Sequence, residues 1–401
     1  MDFSPQQQTA LDEVRAWLED LIFGRTTKQV FRLFGFAGTG KTTIAQEFAS
    51  MVEGLVIFAC YTGKAAHVLR TKGCANAGTL HSLIYQPKGR SAVRLQELQL
   101  EYVEQEKEGA NPRILEDLKR SIALEVENMK RPSFAIKEES DLDDASLLVI
   151  DEVSMVDGDM GRDLEGYGVP ILVLGDPAQL PPVKGGGYFT EAKPDILLTE
   201  IHRQAADSPI LALATDIREG RGFDGSDLVR SIGQSLEFMA GFDQILCGTN
   251  KTRKLVNEKL RAHLGFVDLM PMPGDRLICT RNDGDTGLLN GGQWQVLNSR
   301  WDPGLEELWL TICSVDNDEQ LHVQAHPEYF IGEEPPYFMV RKKQCFDFAY
   351  CMTVHKSQGS QFDSVCLIDE AQKFPNATAS FKRAHRYTGI TRAAKELTVI
   401  R

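Results

Sequence analysis

Short apolar runs bounded by Gly or Pro recur along the chain between stretches of helical period. That is the pattern of a parallel sheet with covering helices, because strands buried on both faces read as continuous apolar runs. A first set of strands is predicted at Val30 to Phe34, Leu55 to Cys60, Leu147 to Ile150 and Ile171 to Leu174. A second set is predicted at Gln244 to Cys247, Phe348 to Met352, Val365 to Ile368 and Leu397 to Ile400. Two such sets predict an α/β fold with two domains in tandem. Two segments break the pattern. Residues 91–145 are helical and charge-rich, whereas 291–340 turn β-like, with Gln-Trp-Gln-Val-Leu and Leu-Trp-Leu-Thr-Ile. Each reads as an insertion. The expected layout is a first domain over 1–84 and 146–205 with an insertion at 85–145, and a second domain over 206–290 and 341–401 with an insertion at 291–340.

At 401 residues, 42% hydrophobic and 25% charged, the chain has the composition of an ordinary globular protein, which excludes a disordered or collagen-like one. The net charge of −13, from 44 Lys and Arg against 57 Asp and Glu, argues against a polybasic binder of nucleic acid. An enzyme with a local basic groove remains open. No basic segment followed by an apolar run stands at the N-terminus, and no apolar stretch nears the roughly 20 residues needed to span a bilayer, so a cytoplasmic protein is expected. Eight scattered cysteines without a C-x-x-C pair read as reduced thiols. Cys345 and Cys351 flank a strand-like Phe-Asp-Phe-Ala-Tyr and are not read as a metal pair.

The strongest chemical signal is Gly35-Phe36-Ala37-Gly38-Thr39-Gly40-Lys41-Thr42, which fits G-x-x-x-x-G-K-[ST] between a predicted strand and the helical run Ile44 to Phe48. In that context the glycines let backbone N–H groups curl around phosphates, so Gly35, Ala37, Gly38, Thr39, Gly40, Lys41, Thr42 and Thr43 are candidate nucleotide contacts. Lys41 is expected to reach the β and γ phosphates, and Thr42 to hold Mg²⁺. Leu147-Leu148-Val149-Ile150-Asp151-Glu152 is an apolar strand ending in two carboxylates. Asp151 is placed to hold Mg²⁺, and Glu152 to orient and deprotonate the attacking water. An acid that activates water favours hydrolysis over transfer to a second substrate, so ATP and Mg²⁺ are the expected substrate and cofactor.

Taken in order, these motifs and those that follow resemble the superfamily 1 (1B) DNA helicases of the RecD-like and Dda-like branch, over nearly the whole chain. Phe3-Ser4-Pro5-Gln6-Gln7-Gln8-Thr9-Ala10 resembles the Q motif, in which Gln7 would read the adenine edge; three consecutive glutamines leave the register open by one. Thr62-Gly63-Lys64-Ala65-Ala66 resembles motif Ia, and Thr79-Leu80-His81-Ser82-Leu83 the DNA-contacting motif after it. Asp151-Glu152-Val153-Ser154-Met155 resembles motif II. Gly175-Asp176-Pro177-Ala178-Gln179-Leu180-Pro181-Pro182-Val183 resembles motif III, with Gln179 linking the γ-phosphate to the DNA track. By the same resemblance Arg203, in Leu198-Thr199-Glu200-Ile201-His202-Arg203-Gln204, contacts the γ-phosphate. Thr353-Val354-His355-Lys356-Ser357-Gln358-Gly359 resembles motif V, and Tyr387-Thr388-Gly389-Ile390-Thr391-Arg392-Ala393 motif VI, with Arg392 a second arginine finger.

The resemblance implies two RecA-like P-loop domains, an SH3-like barrel at 291–340 and a pin in the first insertion. It further implies an ATP-dependent helicase moving 5′ to 3′ on single-stranded DNA, a monomeric motor acting at single-strand/duplex junctions, with a single-strand-binding or replisome protein as a possible partner. The setting it implies is a bacterial or phage-infected cell. A DNA-stimulated translocase that does not unwind, working as a subunit of a recombination or nuclease complex, is the alternative. A nucleotide-gated scaffold with a degenerate motor is disfavoured by the intact Lys41, Thr42, Asp151, Glu152, Gln179, Arg203 and Arg392. Candidate contacts for the strand are Thr62, Lys64, Thr79, His81, Thr353, His355 and Lys356, whose donors position phosphates without reading sequence. His81 and His355 can equally be structural. At Tyr61 the branch usually has a proline; the tyrosine can stack on a base or pack on the sheet. No pin residue is assignable, although Tyr85 and Tyr102 are aromatic candidates.

The acidity has an address. Residues 91–145 carry eight basic and fourteen acidic residues, a net −6, and 302–334 carry nine acidic residues and no Lys or Arg. Everything outside these two segments sums to +2. Acidic insertions would repel stray phosphates and leave the inter-domain track as the favoured path.

Overall fold

The structure, a computed structural model, describes residues 3–87, 98–102, 104–105, 112–130, 134–137, 139–181, 187–201, 207–223, 225–230, 235–283, 286–316, 318–331 and 343–401. In chain order its strands are β1 Val30–Gly35, β2 Leu55–Cys60, β3 Gly78–Thr79, β4 Tyr85–Pro87, β5 Phe134–Ile136, β6 Ala145–Asp151, β7 Ile171–Gly175, β8 Ile196–Leu198 and β9 Val229–Arg230. They continue with β10 Gln244–Cys247, β11 Arg276–Cys279, β12 Gln293–Asp302, β13 Glu307–Ser314, β14 Gln320–Ala325, β15 Phe346–Phe348, β16 Cys351–Thr353, β17 Phe362–Ile368 and β18 Ala393–Ile400.

Two parallel sheets carry the architecture. The first has six strands in the order β3-β2-β6-β7-β1-β8, the second five in the order β16-β10-β17-β18-β9. Period-two alternation sorts each strand between two cores. On one face of the first sheet Phe31, Leu33, Phe58, Leu147, Val149 and Leu172 pack together; on the other lie Phe34, Ile57, Leu148, Ile150, Ile171 and Val173. Leu147 to Ile150 are wholly buried, which is why that run shows no polar alternation. Helices are set by side-chain caps: Ser4 and Gln7 form a capping box at Pro5–Ile22, and Thr62, Asp157, Ser208 and Thr249 each accept a backbone N–H at the start of the next helix.

The first insertion leaves and returns through the antiparallel pair β4 and β5, on either side of the helix Pro112–Lys130. The second is a five-stranded antiparallel sheet, β14-β13-β12-β11-β15, so it takes in strands on both sides of the 291–340 stretch expected to hold it. Its outer strands are drawn together where Ala325 bridges to Gln344, just ahead of β15. The single strand expected at Phe348 to Met352 is two. β15 pairs antiparallel with β11, and β16 pairs parallel with β10. The break between them is braced by buried amides: Gln244 donates to the Ala349 and Tyr350 carbonyls (both 3.2 Å), and Asn257 donates to those of Phe348 (3.2 Å) and Cys351 (3.0 Å). One core serves both the second parallel sheet and the insertion, with Ile245, Cys247, Cys351 and Cys366 packed against Trp294, Val296, Leu310 and Ile312. Arg261 and Asp275 form a buried ion pair beside it (2.8 Å). All eight cysteines are unpaired thiols. Among the described residues no helix is long and apolar enough to cross a membrane.

Candidate functional site

The phosphate-type loop connects β1 to the helix Lys41–Met51, at the C-terminal edge of the first sheet. Gly38 and Gly40 take positive φ (79° and 82°), and a side chain at Gly40 would meet Gln7 Nε2 at 2.7 Å. Lys41 folds along the loop and donates to the Gly35 and Phe36 carbonyls (2.7 and 3.1 Å). Thr42 Oγ1 donates to Asp151 Oδ2 (3.0 Å), while Asp151 Oδ1 accepts the Glu152 N–H (2.8 Å). Burial, with the neighbouring Glu152 charge, pushes the Asp151 carboxyl up. A hydroxyl and a half-buried carboxylate held this way are the oxygen donors that a small hard cation takes, and such a cation would relieve the carboxylate's charge, so the residues fit Mg²⁺. Glu152 sits in the left-handed region (φ 53°), a conformation that turns its carboxylate off the strand line at the sheet edge.

Around one cavity, residues of the two domains meet. Its lining includes Ala37, Lys41, Thr42, Asp151, Glu152 and Gln179 from the first domain and Gly359, Ser360, Gln361 and Arg392 from the second. Arg392 is buried and anchored by its Nε on the Thr388 carbonyl (3.1 Å), with Nη1 3.9 Å from Glu152 Oε1. With its amide turned to satisfy both neighbours, Gln179 donates to Glu152 Oε2 (3.0 Å) and accepts from Arg392 Nη2 (3.3 Å). Lys41, Asp151, Glu152, Gln179 and Arg392, expected from separate motifs, are thus brought together. Arg203 lies outside the described residues. Thr43 occupies the first turn of the helix, away from the cavity lining, and Gly35, Thr39 and Gly40 shape the loop behind it.

Gln7 is held behind the loop. Its Oε1 accepts the Ser4 N–H (3.0 Å) and its Nε2 donates to the Thr39 carbonyl (3.0 Å), directly behind the loop whose nucleotide it is expected to read. Buried in the capping box, it braces the loop from behind. Its neighbour Gln6 is half-buried, and its Oε1 accepts the N–H groups of Thr199 and Glu200.

Two residues that motif reading did not single out complete the seam. Asp176, almost wholly buried, accepts the Ala178 N–H (3.0 Å) and the Tyr387 hydroxyl (2.7 Å), and burial pushes its carboxyl up. The same Tyr387 oxygen accepts the Ala37 N–H (2.8 Å). Nearby, Arg218 lies over the Phe36 ring (3.6 Å), Thr388 Oγ1 accepts the Leu180 N–H (2.9 Å), and Gln358 Nε2 donates to the Leu180 carbonyl (3.0 Å). Both residues stood inside quoted motifs; only the side-chain chemistry, a carboxylate and a phenol in otherwise apolar or small-residue runs, marked them.

The candidate strand contacts sit at the C-terminal ends of β2, β3 and β16. Thr62 and Thr79 are helix caps, accepting the N–H groups of Ala65 and Ser82 (both 3.2 Å), and Thr353 accepts that of Lys356 (3.3 Å). The motif V loop approaches motif Ia, since a side chain at Gly359 would lie 3.2 Å from Thr62 Oγ1. Lys64 is buried, its Nζ 3.7 Å from Asp316 in the β13–β14 turn and over the Phe362 ring, with Leu289 of the second insertion against Gly63. Lys356 donates to Asn290 (2.6 Å). Burial lowers the affinity of Lys64, Lys356, His81 and His355 for their protons. Tyr61 packs edge-on to His81 and against the sheet core (ring centroids 5.4 Å). Of the pin candidates, Tyr85 donates to Asp163 and Tyr102 lies under Lys119.

Comparison with known proteins agrees with this geometry. Residues 21–234 match the family described as AAA domain, and 348–400 match the UvrD-like helicase C-terminal domain. The chain is 26% identical to the ATP-dependent RecD2 DNA helicase of Deinococcus radiodurans over 96% of its own length and 48% of that protein's. It is 33% identical to the ATP-dependent DNA helicase PIF1 of Mus musculus, over 63% of this chain and 46% of that one. The chain therefore spans about half the length of these relatives. Among solved structures, Pif1 helicase from Bacteroides in complex with ADP-AlF3 and ssDNA superposes with a TM-score of 0.55 at 18% identity, covering 99% of this chain and 92% of that one. Pif1 helicase from Candida albicans gives 0.53 at 18% identity, with 100% and 94% covered.

Proposed function

Because the chain belongs to the RecD/Pif1-like family of superfamily 1 helicases, we propose that it is an ATP-dependent DNA helicase that moves 5′ to 3′ on single-stranded DNA and opens duplex at junctions. The observation that carries this reading is the meeting of Lys41, Asp151, Glu152 and Gln179 with Arg392 across one inter-domain cavity. Lys41 neutralises the β and γ phosphates of ATP, the loop N–H groups from Gly38 onward cradle them, and Glu152 orients and deprotonates the attacking water. Thr42 and Asp151 would hold Mg²⁺, which would supply charge neutralisation at the phosphates. Arg392 meets charge developing on the transferring phosphoryl group only while the cleft is shut, and Arg203 is assigned the same kind of contact by family resemblance.

Gln179 touches both Glu152 and Arg392, so it senses the base and the finger together. Thr62, Lys64, Thr79 and His81 on one domain, and Thr353, His355 and Lys356 on the other, grip the strand alternately as the cleft closes and opens; Tyr61 serves as packing beneath them. A phosphate arriving at Lys64 exchanges with Asp316. The antiparallel insertion is assigned as the small SH3-like barrel of the family, and the domain limits follow the sheets.

An unwinding assay on forked duplexes carrying a 5′ or a 3′ single-stranded tail tests the proposal. Strand separation with the 5′ tail alone is expected. Separation with the 3′ tail alone reverses the polarity, and DNA-stimulated hydrolysis with no separation makes the protein a translocase.

A further inference from the structure

Tyr387 touches the phosphate loop and motif III at once, and it comes from the opposite domain. Its hydroxyl accepts the Ala37 N–H (2.8 Å) and donates to Asp176 Oδ2 (2.7 Å), with the ring only 2% exposed. It lies on the helix Ala379–Ile390, and Arg392 follows just beyond that helix. Arg392 hangs its Nε on the carbonyl of Thr388, the residue next to Tyr387, and Thr388 itself takes the Leu180 N–H (2.9 Å). Packing alone does not require the hydroxyl, because a phenylalanine ring would fill the same space. What the hydroxyl adds is a polar tie between a loop N–H and a buried carboxylate, and a buried donor or acceptor left unmade is costly.

We infer that Tyr387 is a positioning residue for ATP hydrolysis: by tying Ala37 to Asp176 across the cleft, its hydroxyl sets the register of the helix that presents Arg392 to Glu152 and Gln179. The inference rests on the hydrolytic reading of the cavity proposed above. Arg218 over Phe36 steadies the same loop from the same domain but fixes no hydrogen-bond geometry, so the tyrosine carries the alignment. Ionised Asp176 is the form that accepts from the hydroxyl. The groups facing it are Lys41, Glu152 and Tyr387, with Arg218 facing the tyrosine in turn.

The experiment is steady-state ATP hydrolysis with saturating oligothymidylate, for wild type, Tyr387→Phe, Asp176→Asn and the double variant, over a range of pH, with thermal unfolding of each. For Tyr387→Phe, kcat is expected to fall about tenfold while KM for ATP stays within about twofold, the scale of losing one or two buried hydrogen bonds from a transition-state arrangement. The acid limb of its kcat profile is expected to move to higher pH, because Asp176 loses a donor that favours its ionised form. The double variant should be no slower than the worse single variant. A kcat within twofold of wild type, an unmoved acid limb, or additive losses in the double variant would overturn the inference. If Tyr387→Phe is not folded, Asp176→Asn decides: a fall in kcat with KM kept sustains the inference, and unchanged kcat overturns it. A wild-type chain with no DNA-stimulated turnover overturns both this inference and the function it rests on.

Discussion

Asp316→Asn gives a sharp test of how the second insertion bears on the strand-binding seam. The carboxylate lies 3.7 Å from Lys64 Nζ, with the lysine 8% and the aspartate 34% exposed. At an effective dielectric of about 20, a pair at this distance attracts by about 4 kcal/mol. Desolvation of the buried ammonium and the open side of the aspartate cancel most of that, leaving a net term of about 1 to 2 kcal/mol. A phosphate that must displace Asp316 pays this term back; with asparagine there it does not. Single-stranded DNA should therefore bind about 5- to 30-fold more tightly at low salt. The salt slope should steepen by about 0.7, one phosphate contact's worth on a single strand. Anisotropy of a labelled oligothymidylate over a salt series measures both quantities. Lys64→Ala should abolish the gain when combined with Asp316→Asn. Unchanged affinity and slope in Asp316→Asn would refute the reasoning and leave the insertion's acidity a matter of solubility.

Three further outcomes follow from the geometry. Glu152→Gln keeps the size of the side chain but removes the base, so it should still bind ATP and turn over at least about 100-fold more slowly in a coupled phosphate-release assay; a twofold drop would place the base elsewhere. Asp275→Asn strands the buried Arg261 guanidinium, which now holds two hydrogen bonds to that carboxylate (2.9 and 2.8 Å), and should cost about 3 to 5 kcal/mol in denaturant unfolding. His385 is wholly buried with neither ring nitrogen hydrogen-bonded, and burial lowers its pKa from 6.5 to about 4. The fold holds the neutral ring, so its contribution is complete above pH 6.5 and is lost as pH falls towards 4, by up to about 3 kcal/mol. His385→Phe should accordingly flatten the fall in melting temperature between pH 6.5 and 4.5; an unchanged slope would exonerate the histidine.

Much of the fold was legible because buried parallel strands announce themselves locally. Leu55 to Cys60 and Gln244 to Cys247 were read to the residue, and the runs at Val30, Leu147 and Ile171 to within two. The short strands β3, β8 and β9 have too few residues to show a period. The break at Ala349 and Tyr350 was invisible because both sides are apolar; Gln244 and Asn257, distant in sequence, decide it by hydrogen-bonding the backbone there. The same division holds at the site. The loop and the Asp151–Glu152 pair are contiguous motifs whose spacing states their chemistry. The contacts of Gln7 with Ser4 and Thr39 were not legible, because they are chosen by a capping box and a loop packed together. The Tyr387, Lys64 and Asp316 contacts join residues hundreds of positions apart, and no single stretch of sequence encodes them.

The core shared by the second parallel sheet and the antiparallel insertion has a mechanical corollary. With Cys247 and Cys366 packed into the same apolar mass as Trp294 and Leu310, the described residues join the insertion to its domain as one body. Strand β12 is ten residues long, about 33 Å at the usual rise of a strand. Over such an arm, a rotation of roughly 10° sweeps the far turn through roughly 6 Å, more than the 3.4 Å rise per base. Were the cleft to close and open as proposed, such an arm would turn modest angular play there into a base-sized stroke at the distal rim.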